Sequence, residues 1–214
     1  VTRPLVLVVV AVLISGSLLM TFNGFRRVFR GGSDDADLPP PYDPAGKKLR
    51  ILCLHGYHGS AATMRRQASG ATALLAPYAD LFFLDAPSRS HGDFGWWHAT
   101  SNRAIVYEGW EATRRGVKLA WDTQGPFDGV LGFSQGAVLA SLLVALPEFP
   151  FEFAIMAGGF AARDPRLAAL YERNKEKYAI PSLHIYGRAD GIVDPRASAA
   201  LSDKFVNPTT IVHE

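Results

Sequence analysis

The sequence predicts an α/β fold, a mostly parallel sheet with helices on both faces. Three observations predict it. Short apolar runs alternate with helical stretches from residue 47 onward. Those runs are apolar throughout rather than every second residue, as in strands covered on both faces. In mid-chain, residues 127–131 lead through Gly132-Phe133-Ser134-Gln135-Gly136 into residues 137–146, a stretch apolar on every face. That succession reads as a strand, a tight bend and a buried helix.

Taken in order, the chain opens with residues 4–22, which carry no charge over nineteen positions, close to the length that spans a bilayer. Arg3 precedes this stretch, and Arg26, Arg27 and Arg30 follow it. Residues 1–30 are therefore expected to be a membrane anchor, with the basic flank leaving the domain in the cytosol. The alternatives are an organelle-targeting segment or a cleaved secretory one, with residues 5–14 as its apolar core and Ser15-Gly16-Ser17 as the small-residue site. Residues 31–46, rich in Gly, Asp and Pro, read as an extended linker, and the folded domain is expected over 47–214.

Within that domain, residues 49–54 form a dense apolar run ending at His55-Gly56, a central strand. Residues 61–77 are helical in character and 80–85 form a second strand. Residues 86–102 are long, rich in turn formers, and carry Trp96, Trp97 and His98. An amphipathic helix is expected over 107–123, then the mid-chain strand and helix. Strands at 151–156, 180–186 and 209–212 alternate with helices at 165–175 and 196–205. The chain opens on Val1 and stops at Glu214 inside a run read as strand, so a fragment of a longer protein is expected.

The totals exclude several classes of function. A formal charge of +2 with no basic stripe interleaved with aromatics gives no nucleic-acid footprint. The single cysteine, Cys53, rules out an internal disulfide framework and a cysteine-based zinc cluster. A site built on Cys53, His55 and His58 lacks a ligand pair of standard spacing, so no metal is expected.

The chemistry gathers where strands end. Gly132-Phe133-Ser134-Gln135-Gly136 fits Gly-x-Ser-x-Gly, the nucleophile elbow, in which a strained bend lifts a serine hydroxyl clear of the sheet. Ser134 is thus the candidate nucleophile. An oxyanion forming at the attacked carbonyl needs fixed donors. Backbone N–H groups of Gln135 and of Tyr57, in the loop after the first domain strand, fit that need. His55 would brace the loop. Asp190, in Gly187-Arg188-Ala189-Asp190 after a strand, follows the serine in the order Ser…Asp…His. Its competitor Asp194 precedes Pro195 and fits a helix cap better. The base is either His213 or a residue past Glu214.

With these residues in view, the domain resembles the FSH-type serine hydrolases, a eukaryotic family with the α/β-hydrolase fold. The resemblance runs from about Leu49 to the last residue. It rests on Ile-Leu-Cys-Leu-His-Gly-Tyr-His-Gly-Ser at 51–60, on Leu84-Asp85-Ala86-Pro87, and on Trp96-Trp97. It rests further on residues 125–137 around Ser134 and on 181–190 before the last helix. The resemblance implies Ser134 as nucleophile and Asp190 as triad acid. In the family the last strand typically runs into His-x-Gly-Gly-His, whose second histidine is the base. Ile211-Val212-His213-Glu214 matches the first part, so the resemblance makes His213 the first of those histidines and places the base beyond Glu214.

The expected activity is hydrolysis of small acyl esters or thioesters through an acyl-enzyme on Ser134, with no cofactor. Trp96, Trp97 and Phe160 are expected to line an apolar substrate pocket, with ordinary core packing as the other reading of the tryptophans. The rival function is a non-catalytic protein of the same fold that binds a ligand or partner.

Overall fold

The computed structural model describes residues 47–214 apart from 91–92, 102–103 and 174–175. Its centre is a six-stranded sheet in which every neighbouring pair is parallel. The strands are β1 (Leu49–Leu54), β2 (Ala79–Leu84), β7 (Gly129–Phe133), β8 (Phe153–Ala157), β9 (Ser182–Gly187) and β10 (Thr209–His213). Their spatial order is β10-β9-β8-β7-β1-β2. The chain moves outward from β1 to β2, returns to place β7 on the other side of β1, and then proceeds through β8, β9 and β10. The direction of winding reverses between β1 and β7, and ligands in open α/β sheets bind at the carboxyl ends of such a pair.

Apolar side chains of successive strand residues feed opposite faces. Leu52 and Leu54 join the larger core cluster, while Ile51 and Cys53 join the smaller one. On the larger side lies α4 (Gln135–Val144), buried from Gln135 to Leu143 as its uniform apolarity requires. The remaining helices are α1 (Ala61–Gln67), α2 (Ser69–Leu75), α3 (Trp110–Gln124), α5 (Pro165–Arg173) and α6 (Pro195–Ser202). Ser60 and Thr63 form a capping box at the start of α1. Asp85, just past β2, accepts from the Ala61 N–H at 2.6 Å and so fixes the same helix end.

Two expectations need local revision. The helix read over 61–77 is two helices meeting at Ala68, with the poor helix former Gly70 close behind the break. The helix read from 107 starts at Trp110, because Ile105–Glu108 is a strand, β6, paired antiparallel with β5 (His98–Ser101). Gly109, at φ +96°, makes the turn from β6 into α3, a conformation that suits glycine. A second antiparallel pair, β3 (Ser88–Ser90) with β4 (Asp93–Gly95), lies in the stretch read as rich in turn formers.

The membrane reading is corrected. Among the described residues no helix is long and apolar enough to cross a membrane. Residues 4–22, which the sequence offers as the span, lie outside the described residues, as does the 31–46 linker. Membrane attachment and a membrane-anchored location therefore have no support.

Two buried polar groups make the fold less stable as pH falls. Asp164 is fully buried and accepts from Tyr107 N–H at 2.9 Å and Arg166 N–H at 2.9 Å. The Arg166 guanidinium also grips it, at 2.7 and 3.1 Å, and chiefly holds its carboxyl down at about 2. His184 is buried against Phe205 and within 3.2 Å of Ser182 Oγ, and burial pushes its imidazole down to about 4. The unfolded chain binds both protons more readily, so stability falls as pH falls. His184 acts between 6.5 and about 4 and Asp164 between 3.8 and about 2. Denaturant titrations between pH 7 and 4 are expected to show wild type losing about 3 kcal/mol more than His184→Leu.

Candidate active site

The bend after β7 is held from every side. Ser134 has φ +51° and ψ −116°, a state that costs a non-glycine residue about 1–3 kcal/mol. Its N–H donates to Ala157 O at 2.8 Å, continuing the pairing with β8. Its carbonyl accepts from Ala137 and Val138 N–H at 2.9 and 3.1 Å, opening α4. The flanking glycines leave no room for a side chain. A Cβ on Gly132 would lie 2.1 Å from Gly136 O, and one on Gly136 would lie 2.1 Å from Leu54 O and 2.6 Å from His55 O.

These close approaches assemble the site. The first turn of α4 is pressed onto the carboxyl end of β1, so Gln135 starts the helix beside the His55-Gly56-Tyr57 loop. A Cβ on Gly56 would lie 3.4 Å from Ser134 Cβ, which puts that loop directly alongside the serine. Gln135 N–H belongs to the first turn of α4, where N–H groups have no partner within the helix. Phe133 and Tyr57 are half-exposed on either flank.

His55 is a brace, as the sequence suggested. Its Nδ1 lies 2.7 Å from Gly56 O, and its Nε2 accepts from Ala86 N–H at 3.1 Å, which sets the tautomer with the proton on Nδ1. Burial lowers its pKa, so the ring stays neutral. Both nitrogens are engaged, which removes His55 as a metal ligand. Cys53 is buried on the opposite face of the sheet, its thiol pushed up to about 12 by desolvation.

Asp190 lies in the loop after β9, half-buried, with Oδ1 accepting from Ile192 N–H at 2.8 Å and Val193 N–H at 3.0 Å. Those bonds fix the carboxylate in an Asx turn. Asp194 takes the other role: it is the N-cap of α6, accepting from Arg196 N–H at 2.9 Å with Pro195 following. His213 is the last residue of β10, paired in register with Gly187, and a Cβ on Gly187 would lie 2.7 Å from its Cε1.

Trp96 and Trp97 are 0% and 2% exposed, and both sit in the larger core cluster. Trp96 stacks on His55 with centroids 4.9 Å apart, and Trp97 stacks on Tyr107 at 4.6 Å. The indoles pack as core beneath the bend. Phe160 is half-buried past β8, with the Arg163 guanidinium 4.8 Å above its ring.

With this geometry in place, the comparisons with known proteins are decisive. A family model described as serine hydrolase (FSH1) matches residues 45–214. The chain belongs to that family. An esterase of Drosophila melanogaster, Esterase CG5412, is 31% identical over 189 residues, 78% of this chain and 67% of that protein. Esterase OVCA2 of Danio rerio is 32% identical, over 77% of this chain and 87% of that protein. Among solved structures, a Bacillus cereus carboxylesterase has a TM-score of 0.60 at 16% identity, covering 79% of this chain and 80% of that one. Zea mays acyl-protein thioesterase 2 has a TM-score of 0.55 at 21% identity, covering 81% and 87%. These likenesses show the α/β-hydrolase fold. Family and relatives together make the chain a serine hydrolase of carboxylic esters.

For this member of the FSH1 family, sequence reasoning missed the side-chain bonds of Gln135. Its Oε1 accepts from Trp96 N–H at 3.1 Å and its Nε2 donates to Trp97 O at 2.8 Å. Residue 135 is an unspecified position of Gly-x-Ser-x-Gly, so the motif gave no signal. A long polar residue opening an otherwise apolar helix was the visible clue.

Gly136→Ala tests the tight approach, because the obstructing atoms are backbone and cannot swing aside. A loss of about 3 kcal/mol or more is expected, read as a collapsed thermal unfolding midpoint in circular dichroism.

Proposed function

We propose that Ser134 attacks the carbonyl carbon of a small acyl ester or thioester, while Tyr57 and Gln135 N–H groups hold the developing oxyanion. The observation that carries this reading is the strained Ser134 backbone, at φ +51° on a bend where neither flanking glycine tolerates a Cβ. Strain of this kind persists where surrounding structure enforces it, and the strained residue follows β7 at the β1–β7 switch point. The Ser134 proton passes to the activating base and from it to the departing alcohol or thiol, leaving an acyl-enzyme on Oγ; water, giving up a proton to the same base, then releases the acid and returns that proton to Oγ. Asp190 is the acid that orients the activating base.

A fluorophosphonate probe with detection of the labelled serine tests this reading. Labelling is expected in the wild type and absent in Ser134→Ala, whose p-nitrophenyl acetate turnover should fall by about 10³-fold or more. Labelling that persists in Ser134→Ala would overturn the assignment. His213 is left out of the proposed machinery. His213→Ala should keep turnover within about tenfold of wild type, whereas a loss near 10³-fold would make it the base.

A further inference from the structure

We infer that Trp96 and the side chain of Gln135 are positioning residues that set the spacing of the two oxyanion donors. The inference rests on the proposed roles of Tyr57 and Gln135 N–H. Those donors stand on separate segments. The β1–β7 pairing is in register up to Leu54 opposite Gly132. Beyond that point one segment continues through His55, Gly56 and Tyr57, the other through Phe133, Ser134 and Gln135. Donors for a developing oxyanion must be held within about 0.5 Å of their working geometry.

Trp96 bridges the two segments from below. Its indole N–H donates to His55 O at 2.8 Å, two residues before one donor. Its main-chain N–H donates to Oε1 of Gln135, the residue that carries the other donor, at 3.1 Å. Gln135 Nε2 returns a bond to Trp97 O at 2.8 Å, so both ends of that amide are used on the tryptophan pair. Trp96 is fixed in turn, its carbonyl accepting from Thr113 Oγ of α3 and its ring stacked on His55. His55 extends the chain of bonds to Ala86 N–H and Gly56 O.

All of these side chains are buried. Burial of an amide, an imidazole and an indole N–H in an apolar cluster is costly unless each finds its partner. The indole finds it on His55 O, the Gln135 amide on the main chain of Trp96 and Trp97, and the imidazole on Ala86 and Gly56. An aliphatic residue at 135 would fill the volume but would take away the bonds of Trp96 N–H and Trp97 O and with them this side-chain tie beneath the two segments.

The test uses Gln135→Met, close in volume and without the amide, and Trp96→Phe, which keeps an aromatic ring and removes the indole donor. Intact sites are counted by end-point titration with the fluorophosphonate, so unfolded molecules drop out. The turnover per titrated site on p-nitrophenyl acetate is expected to fall about 10- to 100-fold, with KM within about threefold. Turnover per site within twofold of wild type would overturn the inference and leave Ser134 as nucleophile untouched. Loss that appears entirely as fewer titrated sites would also overturn it, since that is a purely structural role. If Trp96→Phe does not fold, Gln135→Met decides alone. A wild type that takes no label would sink the reading beneath the inference as well.

Discussion

The structure depends on one contact between main chains. Where α4 begins, the backbone at Gly136 meets the carbonyls of Leu54 and His55 so closely that a single methyl group is excluded. The approach locks the helix against the end of β1 and forces the reversal at Ser134. It also draws the β1 loop beside the serine. Because α4 is buried all round, the contact cannot relax outward without opening the larger core.

Around that contact the polar groups are arranged to stay neutral and paired. His55 gives both ring nitrogens to backbone groups, and desolvation keeps it uncharged. Asp164, held well below the usual carboxylate range, is sealed against Tyr107 and Arg166.

Much of this was legible in the sequence. Apolar runs such as residues 49–54 and 151–156 read as buried parallel strands because burial on both faces removes alternation. The pairing of Gly132 and Gly136 around Ser134 was readable because steric exclusion dictates residue type. The cap role of Asp194 was readable because a proline after an aspartate marks a helix start. The antiparallel pairs from residue 88 to 108 were not legible: their strands run three or four residues, too short for a periodic signal to rise above turn formers. The bonds of Gln135 and Trp96 were hidden for a different reason. They join positions about forty residues apart, and only folding brings these together.

The burial of Cys53 has a consequence for chemical profiling. The protein has a single sulfhydryl. It is sealed on the far side of the sheet from Ser134 and shifted to about 12, leaving almost no thiolate at neutral pH. Alkylating reagents that silence cysteine-dependent enzymes in a mixed proteome would pass this hydrolase by. Pre-treatment with iodoacetamide should therefore leave its signal standing while cysteine-dependent activities vanish.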